Sequence, residues 1–336
     1  MPTAARRADL VLEGGGVKGI GLVGAVTALA DAGLTFPRVA GTSAGAIVAA
    51  LVAALQVAGR PMSDLLAMMQ RIDYPAFMRG DWAERHLGAV GKAGHLMLHE
   101  GLYDDDYLVD WLGGELDQIG VTTFGQLRID DDPGTALPPA YRFRLVVHTA
   151  DITRGKLVRL PWDYPAYGVN ADDARIVDAV RASMSIPFFF DPIQLDAPAL
   201  DDGVHNLAAG RVTWVDGGLL SNFPVEVFDR GDGVPSRWPT IGVKLSAAAA
   251  RPVEHSDPGN VLAEAIACLR TALDNADRYY VPPSKAVRTI FVDSFGLSAT
   301  DFHLGPDDQQ RLFDNGRAAA AAYLAANPQP PAAPSE

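Results

Sequence analysis

Leu10-Val11-Leu12-Glu13-Gly14-Gly15-Gly16-Val17-Lys18-Gly19 is followed, one helix's length later, by Val39-Ala40-Gly41-Thr42-Ser43-Ala44-Gly45. Each stretch passes from a short apolar run through a glycine-framed turn into residues with helical spacing. That is the repeating unit of an α/β sheet, and two in succession predict neighbouring parallel strands joined by a crossover helix. Gly16 and Ser43 are 27 residues apart, about one helix plus one strand, so both turns are expected at the same edge of one sheet.

The two turns differ in chemistry. In the first, glycines let backbone N–H groups approach a ligand that a Cβ would block, and the following helix adds a partial positive charge, so Gly14, Gly15, Gly16, Lys18 and Gly19 frame a cradle for an anion. The spacing also fits G-x-G-x-x-G. A dinucleotide site, however, wants an acid at the end of the next strand, and Val39-Ala40-Gly41-Thr42-Ser43 has none. A phosphate loop fails as well, because Ile20 and Gly21 stand where Lys and Ser or Thr are needed, and Lys18 comes one residue before the last glycine. A tight turn that needs glycine only for steric reasons is the plain alternative. The second turn fits G-x-S-x-G, with Gly41 and Gly45 allowing a sharp bend that leaves the Ser43 oxygen exposed at a helix start. A serine that merely caps a helix is the plain alternative there.

With 48% apolar and 21% charged residues over 336 positions, the chain can bury one large core. Its formal charge of −13 argues against nucleic acid as a partner and against a standing electrostatic hold on anionic membrane. Brief apolar contact with a membrane surface stays open. The single cysteine, Cys268, cannot close an intrachain disulfide or build a thiolate metal site, and is expected as a buried structural thiol. Arg6 and Arg7 are followed by too short an apolar run for a secretion signal, and the apolar helix at Ala44 to Ala58 is too short to span a bilayer. A soluble protein, cytoplasmic by default, is the expectation, with export by a dedicated route left open.

Strands are predicted at Asp9 to Glu13, Arg38 to Gly41, Phe143 to Ala150, Val212 to Val215, Thr240 to Leu245 and Arg288 to Val292. Helices are predicted at Gly19 to Ala32, Ala44 to Ala58, Asp104 to Leu116, Ala174 to Ser183, Val225 to Asp229, Val261 to Ala276 and Pro306 to Ala326. No linker divides the chain, so residues 8–326 are expected to form one catalytic domain of α/β class. Residues 327–336, with four prolines, have the composition of a disordered tail. Residues 75–102 mix glycines with large apolar side chains and lack a clean period, which suits either a mobile cover over an apolar site or an irregular packed subdomain.

A serine hydroxyl needs a neighbour to take its proton. Of the seven histidines, His148 lies inside a predicted strand, and His86, His95, His99, His205, His255 and His303 lack a strand-end setting. His95 and His99 are spaced to face one metal, but the glutamate that a zinc-protease helix needs after the first is replaced by Leu96. Asp216 is the stronger candidate: it ends the apolar run Val212-Thr213-Trp214-Val215, and Gly217 and Gly218 let the chain leave without crowding it. A carboxylate accepts a serine proton directly if it is within hydrogen-bond reach and burial raises its proton affinity. An Asp-Gly hairpin turn is the plain alternative, disfavoured by Leu219 to Val227, which read as the start of a helix.

Gly14-Gly15-Gly16-Val17-Lys18-Gly19, Gly41-Thr42-Ser43-Ala44-Gly45 and Asp216-Gly217-Gly218, in this chain order, resemble the patatin-like phospholipase family. Supporting strings are Gly101-Leu102-Tyr103-Asp104, Val147-His148-Thr149-Ala150-Asp151, and Ala182-Ser183-Met184-Ser185-Ile186-Pro187 leading to Phe188-Phe189-Phe190. The resemblance covers roughly residues 8–230. It implies a three-layer α/β/α fold with a mainly parallel central sheet, and a Ser-Asp dyad that hydrolyses acyl esters of lipids without histidine, metal or cofactor. Carried over by position, Ser43 is the nucleophile, Asp216 the base, and the N–H groups around Gly15 and Gly16 the oxyanion donors. Lys18 stands where the family more often has arginine, and either steadies the loop or meets a phosphate. Acyl chains are expected against 75–102 and Met184 to Phe190. The competing readings are a Ser-His-Asp esterase and a binding protein that holds a phosphate or nucleotide on the first glycine loop without turnover.

Overall fold

The computed structural model describes residues 6–73, 76, 106–129, 137–201, 206–231, 236–245, 268, 271, 283–297 and 304–328. The central sheet has eight strands: β1 (Asp9–Leu12), β2 (Val39–Thr42), β3 (Leu145–Asp151), β4 (Lys156–Leu160), β5 (Ile193–Ala197), β6 (Gly210–Asp216), β7 (Thr240–Lys244) and β8 (Thr289–Phe291). Their order is β8-β7-β1-β2-β3-β6-β5, with β4 paired to β3 off that path. Strands β8, β7, β1, β2 and β3 are mutually parallel, with Leu12 opposite Gly41 and Thr42 opposite His148. Together with its helices the sheet makes the three-layer α/β/α architecture that the resemblance implied.

Strand β6 runs antiparallel to both its neighbours. This direction matters more than the strand count. Descending along β3, β6 stops with Asp216 opposite Thr149, the residue after the partner of Thr42. The register therefore sets position 43, Thr149 and Asp216 in one row across the sheet.

Helices α1 (Ile20–Asp31), α2 (Ala44–Val57), α3 (Asp64–Met69), α4 (Asp106–Ile119), α5 (Ile176–Met184) and α6 (Pro306–Ala326) pack on the sheet and on each other. Every residue of α2 from Ala44 to Leu55 is buried, which is why the helix is built of alanine and other small apolar side chains. It contacts β1, β2 and β3 as well as α4 and α5. Helices α1 and α6 meet through glycine: a Cβ on Gly24 would stand 2.0 Å from the Phe313 carbonyl oxygen, and one on Gly316 would stand 2.1 Å from that of Gly21. Among the described residues no helix is long and apolar enough to cross a membrane.

Several expectations are corrected. Val225 to Asp229 is a pair of reverse turns, closed by Val227 N–H to Pro224 O and Asp229 N–H to Glu226 O. Val225 and Phe228 are both buried, so their spacing imitated a helix. The helical start predicted from Leu219 is likewise only a single turn at Gly217–Leu219. Strands β4 and β5 escaped the sequence pattern because charged residues interrupt them, one face of each being only partly covered. Cys268 is exposed rather than buried. The helix expected over Val261 to Ala276 lies outside the described residues except at Cys268 and Thr271, both helical. The segment 75–102, apart from Ala76, and the tail beyond Pro328 also lie outside them.

Candidate active site

The turn after β2 bends as sharply as its glycines foretold. Ser43 has φ 52° and ψ −127°, a backbone conformation that side-chain-bearing residues rarely adopt. A Cβ on Gly41 would stand 2.2 Å from the Gly45 carbonyl oxygen, and one on Gly45 would stand 2.4 Å from that of Leu12. Glycine at both positions thus lets the strand, the turn and the start of α2 close on one another. The Ser43 hydroxyl makes no cap to α2. Near it lies the Asp216 carboxyl, and interaction with the Ser43 hydroxyl favours the ionised form of that carboxyl.

Asp216 is almost wholly buried, at 1% exposure. Its Oδ1 accepts the Gly218 N–H at 2.7 Å, and its own N–H donates to Ser185 O at 2.8 Å. Among the described residues no cation pairs with it. Burial therefore dominates, pushing its carboxyl up to about 6, with the Ser43 hydroxyl and the Gly218 N–H pulling the other way. Gly217 is required by contact, since a Cβ there would stand 2.3 Å from His148 O. Gly218 serves through its backbone donor.

The first glycine loop lies against the same turn. A Cβ on Gly14 would stand 3.1 Å from the Ser43 Cβ, and one on Gly15 would stand 2.4 Å from Leu245 Cδ1. Gly16 has φ 54° and opens a short turn of helix at Gly16–Gly19 that leads into α1. The Gly14 N–H is taken by Asn222 O at 3.1 Å, whereas no acceptor among the described residues takes the N–H of Gly15 or Gly16. These two are the donors left over by the start of a helix. A Cβ on Gly19 would be in ordinary contact with Ala44, at 3.5 Å. Lys18 is half-buried and lends its positive charge to Glu13, whose carboxylate pairs with buried Lys244 and accepts the Leu245 N–H.

Four residues of the site went unassigned in the sequence. Ser183, at the end of α5, accepts the Ser43 N–H at 2.8 Å and donates to His148 O at 2.6 Å, so it pins the strained turn to β3. Its signal was present in the string Ala182 to Pro187, but no role could be read from it. Asn222 and the Glu13–Lys244 pair join segments more than 200 residues apart, and nothing local in the sequence marks such a pairing. Of the histidines, His148 is described. It is fully buried, its Nδ1 lies 3.3 Å from Gly41 O, and burial lowers it to about 4, so the ring is neutral and turned to the backbone. His86, His95, His99, His205, His255 and His303 lie outside the described residues. Phe189 and Phe190 are buried in the core, with Met184 and Phe188 half-buried against it.

A family model described as patatin-like phospholipase matches residues 10–229. Over 320 residues the chain is 32% identical to the uncharacterized protein YqhO of Bacillus subtilis, a match that covers 94% of this chain and 97% of that one. It is 26% identical over 235 residues to lysophospholipase nte1 of Emericella nidulans, which covers 69% of this chain and 13% of that protein. The chain thus spans about an eighth of the length of the fungal relatives it matches. Among solved structures, VipD from Legionella pneumophila aligns with a TM-score of 0.50 over 96% of this chain and 68% of that one, at 17% identity, a likeness of fold alone.

Proposed function

Because the chain belongs to the patatin-like phospholipase family, we propose that it hydrolyses carboxylic esters of lipids with Ser43 as nucleophile and Asp216 as base. The observation that carries this reading is a buried carboxylate, Asp216, that the sheet register brings into one row with the Ser43 turn and that no described cation neutralises. A carboxyl held near 6 is ionised at neutral pH, yet basic enough to accept a proton in the transition state.

In the proposed course, the Ser43 oxygen attacks the ester carbonyl carbon as its proton passes to Asp216. The carbonyl oxygen becomes an oxyanion, and the N–H groups of Gly15 and Gly16 receive it. A donor of this kind is typically worth roughly 3 to 4 kcal/mol of barrier. Collapse breaks the bond to the alcohol, which leaves with the proton from Asp216. Water then attacks the acyl-enzyme, giving its proton to Asp216, and the free acid departs as Ser43 regains its hydrogen. Two observations support this course: the positive φ of Ser43, and the closeness of Gly14, next in the chain to the two proposed donors, to the Ser43 side chain. No step calls on a histidine.

Phospholipids and lysophospholipids are the proposed substrates. The second class is suggested by the name of the fungal relatives, which match over about an eighth of their length. The test is to expose the protein to an alkyl fluorophosphonate and, separately, to a mixed lipid extract. Wild type should be labelled and should release fatty acid and lysolipid or glycerophosphodiester, and Ser43→Ala should do neither. Labelling or release that persists in Ser43→Ala sinks the assignment.

A further inference from the structure

Asn222 stands six residues beyond Asp216 and closes on the first glycine loop from two sides. Its main-chain oxygen accepts the Gly14 N–H at 3.1 Å, and its side-chain Nδ2 donates to the Gly14 carbonyl oxygen, also at 3.1 Å. The fit is tight: a Cβ on Gly14 would stand 2.1 Å from Asn222 Oδ1. The residue before it, Ser221, accepts a hydrogen bond from the Thr42 hydroxyl at 3.3 Å. One short segment thus touches the loop, the serine turn and, through the chain, Asp216.

The carbonyl of Gly14 and the N–H of Gly15 belong to one peptide unit. That unit is trans, so the two groups point in opposite directions. Whatever holds the carbonyl therefore aims the N–H. Both flanking residues are glycines, which lets this peptide rotate more freely than one between residues with side chains. A rotated peptide would turn a carbonyl oxygen, not an N–H, toward the developing negative charge.

We propose that Asn222 is a positioning residue: by holding the Gly14 carbonyl it fixes the Gly14–Gly15 peptide with the Gly15 N–H aimed at the oxyanion. This rests on the reading of Ser43 as nucleophile and Gly15 as donor. Leu245 packs against Gly15 and Glu13 holds Leu245 by its N–H, so the loop is backed on that side by buried groups. Asn222 is half-buried and can be changed with less disturbance to the core.

The experiment compares wild type, Asn222→Ala, Asn222→Asp and Ser43→Ala on a p-nitrophenyl acyl ester, and measures binding of an alkyl trifluoromethyl ketone, which adds to a serine to give a tetrahedral oxyanion. Asn222→Ala should lower kcat about 100-fold with KM within twofold of wild type, and weaken ketone binding by a similar factor. Asn222→Asp keeps the size and the main-chain bond but replaces the donor with an acceptor, and should lose at least as much; it carries the test if the alanine variant fails to fold. A folded Asn222 variant with kcat within threefold of wild type, or with the loss confined to KM, overturns the proposal. Turnover that survives in Ser43→Ala is a separate result, which sinks the nucleophile and this role together.

Discussion

Three carboxylates are buried at and beside the two ends of β1, and among the described residues two of them meet a cation and one does not. At the foot of β1, fully buried Asp9 is gripped by the Arg38 guanidinium, whose Nε stands 3.0 Å from Oδ1, and receives the Trp238 indole N–H at 2.7 Å. Just past the head of β1, Glu13 is matched in the same way by Lys244. Asp216, in the row of strand ends beside that head, has a hydroxyl and a backbone N–H for company. A buried charge is usually paired, because desolvation is severe. Pairing at Asp9 and Glu13 belongs to the framework. Burial raises all three carboxyls; Arg38 and Lys244 pull those of Asp9 and Glu13 back, and no described cation does so at Asp216, the proposed base.

That contrast can be broken most directly at Asp216. Asp216→Asn should lower kcat by roughly 100- to 10,000-fold while circular dichroism stays native. Wild-type kcat/KM should fall as pH drops below about 6, where the carboxyl takes up its proton. Turnover within tenfold of wild type in Asp216→Asn would remove the base from this position. At the framework end, Arg38→Met leaves Asp9 buried without its cation and should cost about 3–5 kcal/mol of stability by urea unfolding. Molecules that remain folded should keep their kcat. A loss below about 1 kcal/mol would mean that water reaches Asp9 and that the two ends are not distinct in kind.

Asp216→Asn also sharpens the comparison through stability. Folding raises the Asp216 carboxyl from 3.8 to about 6, so its ionised form opposes folding above that pH. Asp216→Asn should therefore be more stable than wild type at pH 8, by at most about 3 kcal/mol. The gain should shrink as pH falls through 6 and vanish below about 4. A thermal melt at each pH reads it, and a variant less stable than wild type at pH 8 contradicts the sign. The smallest effect is expected at Ser43→Gly, where removing the side chain relieves the backbone at φ 52°. A gain of about 1 kcal/mol, with activity lost, is the expected result.

The site was legible where its chemistry is local. Gly14 to Gly19, Gly41 to Gly45 and Asp216 to Gly218 each declare a turn by residue type, and the interval from Gly16 to Ser43 declares their shared edge. The parallel half of the sheet followed from the same alternation of strand and helix. What could not be read was direction and reach. Nothing in Val212 to Asp216 says that β6 runs against β3, because a strand's apolar pattern is the same either way. Asn222 lay within Leu219 to Val227, which read as the start of a helix, and its partner Gly14 is 208 positions away. Ser183 is one serine at a helix end until β3 and the serine turn are brought beside it. Val225 and Phe228 misled for the converse reason, a helical interval in a segment too short to be a helix.

Strand β1 sits inside the sheet, between β2, which follows it within about 30 residues, and β7, made more than 220 residues later. The chain is synthesised from its N-terminus, so the glycine loop exists long before its anchors do. A nascent chain that has just exposed Asp216 already holds both halves of the proposed dyad. It lacks Asn222 against Gly14, Lys244 and Leu245 against Glu13, and α6 against Gly21 and Gly24. Assembly of the site is tied to completion of the molecule, and a ribosome-bound fragment would carry the groups of a hydrolase without the scaffold that orients them.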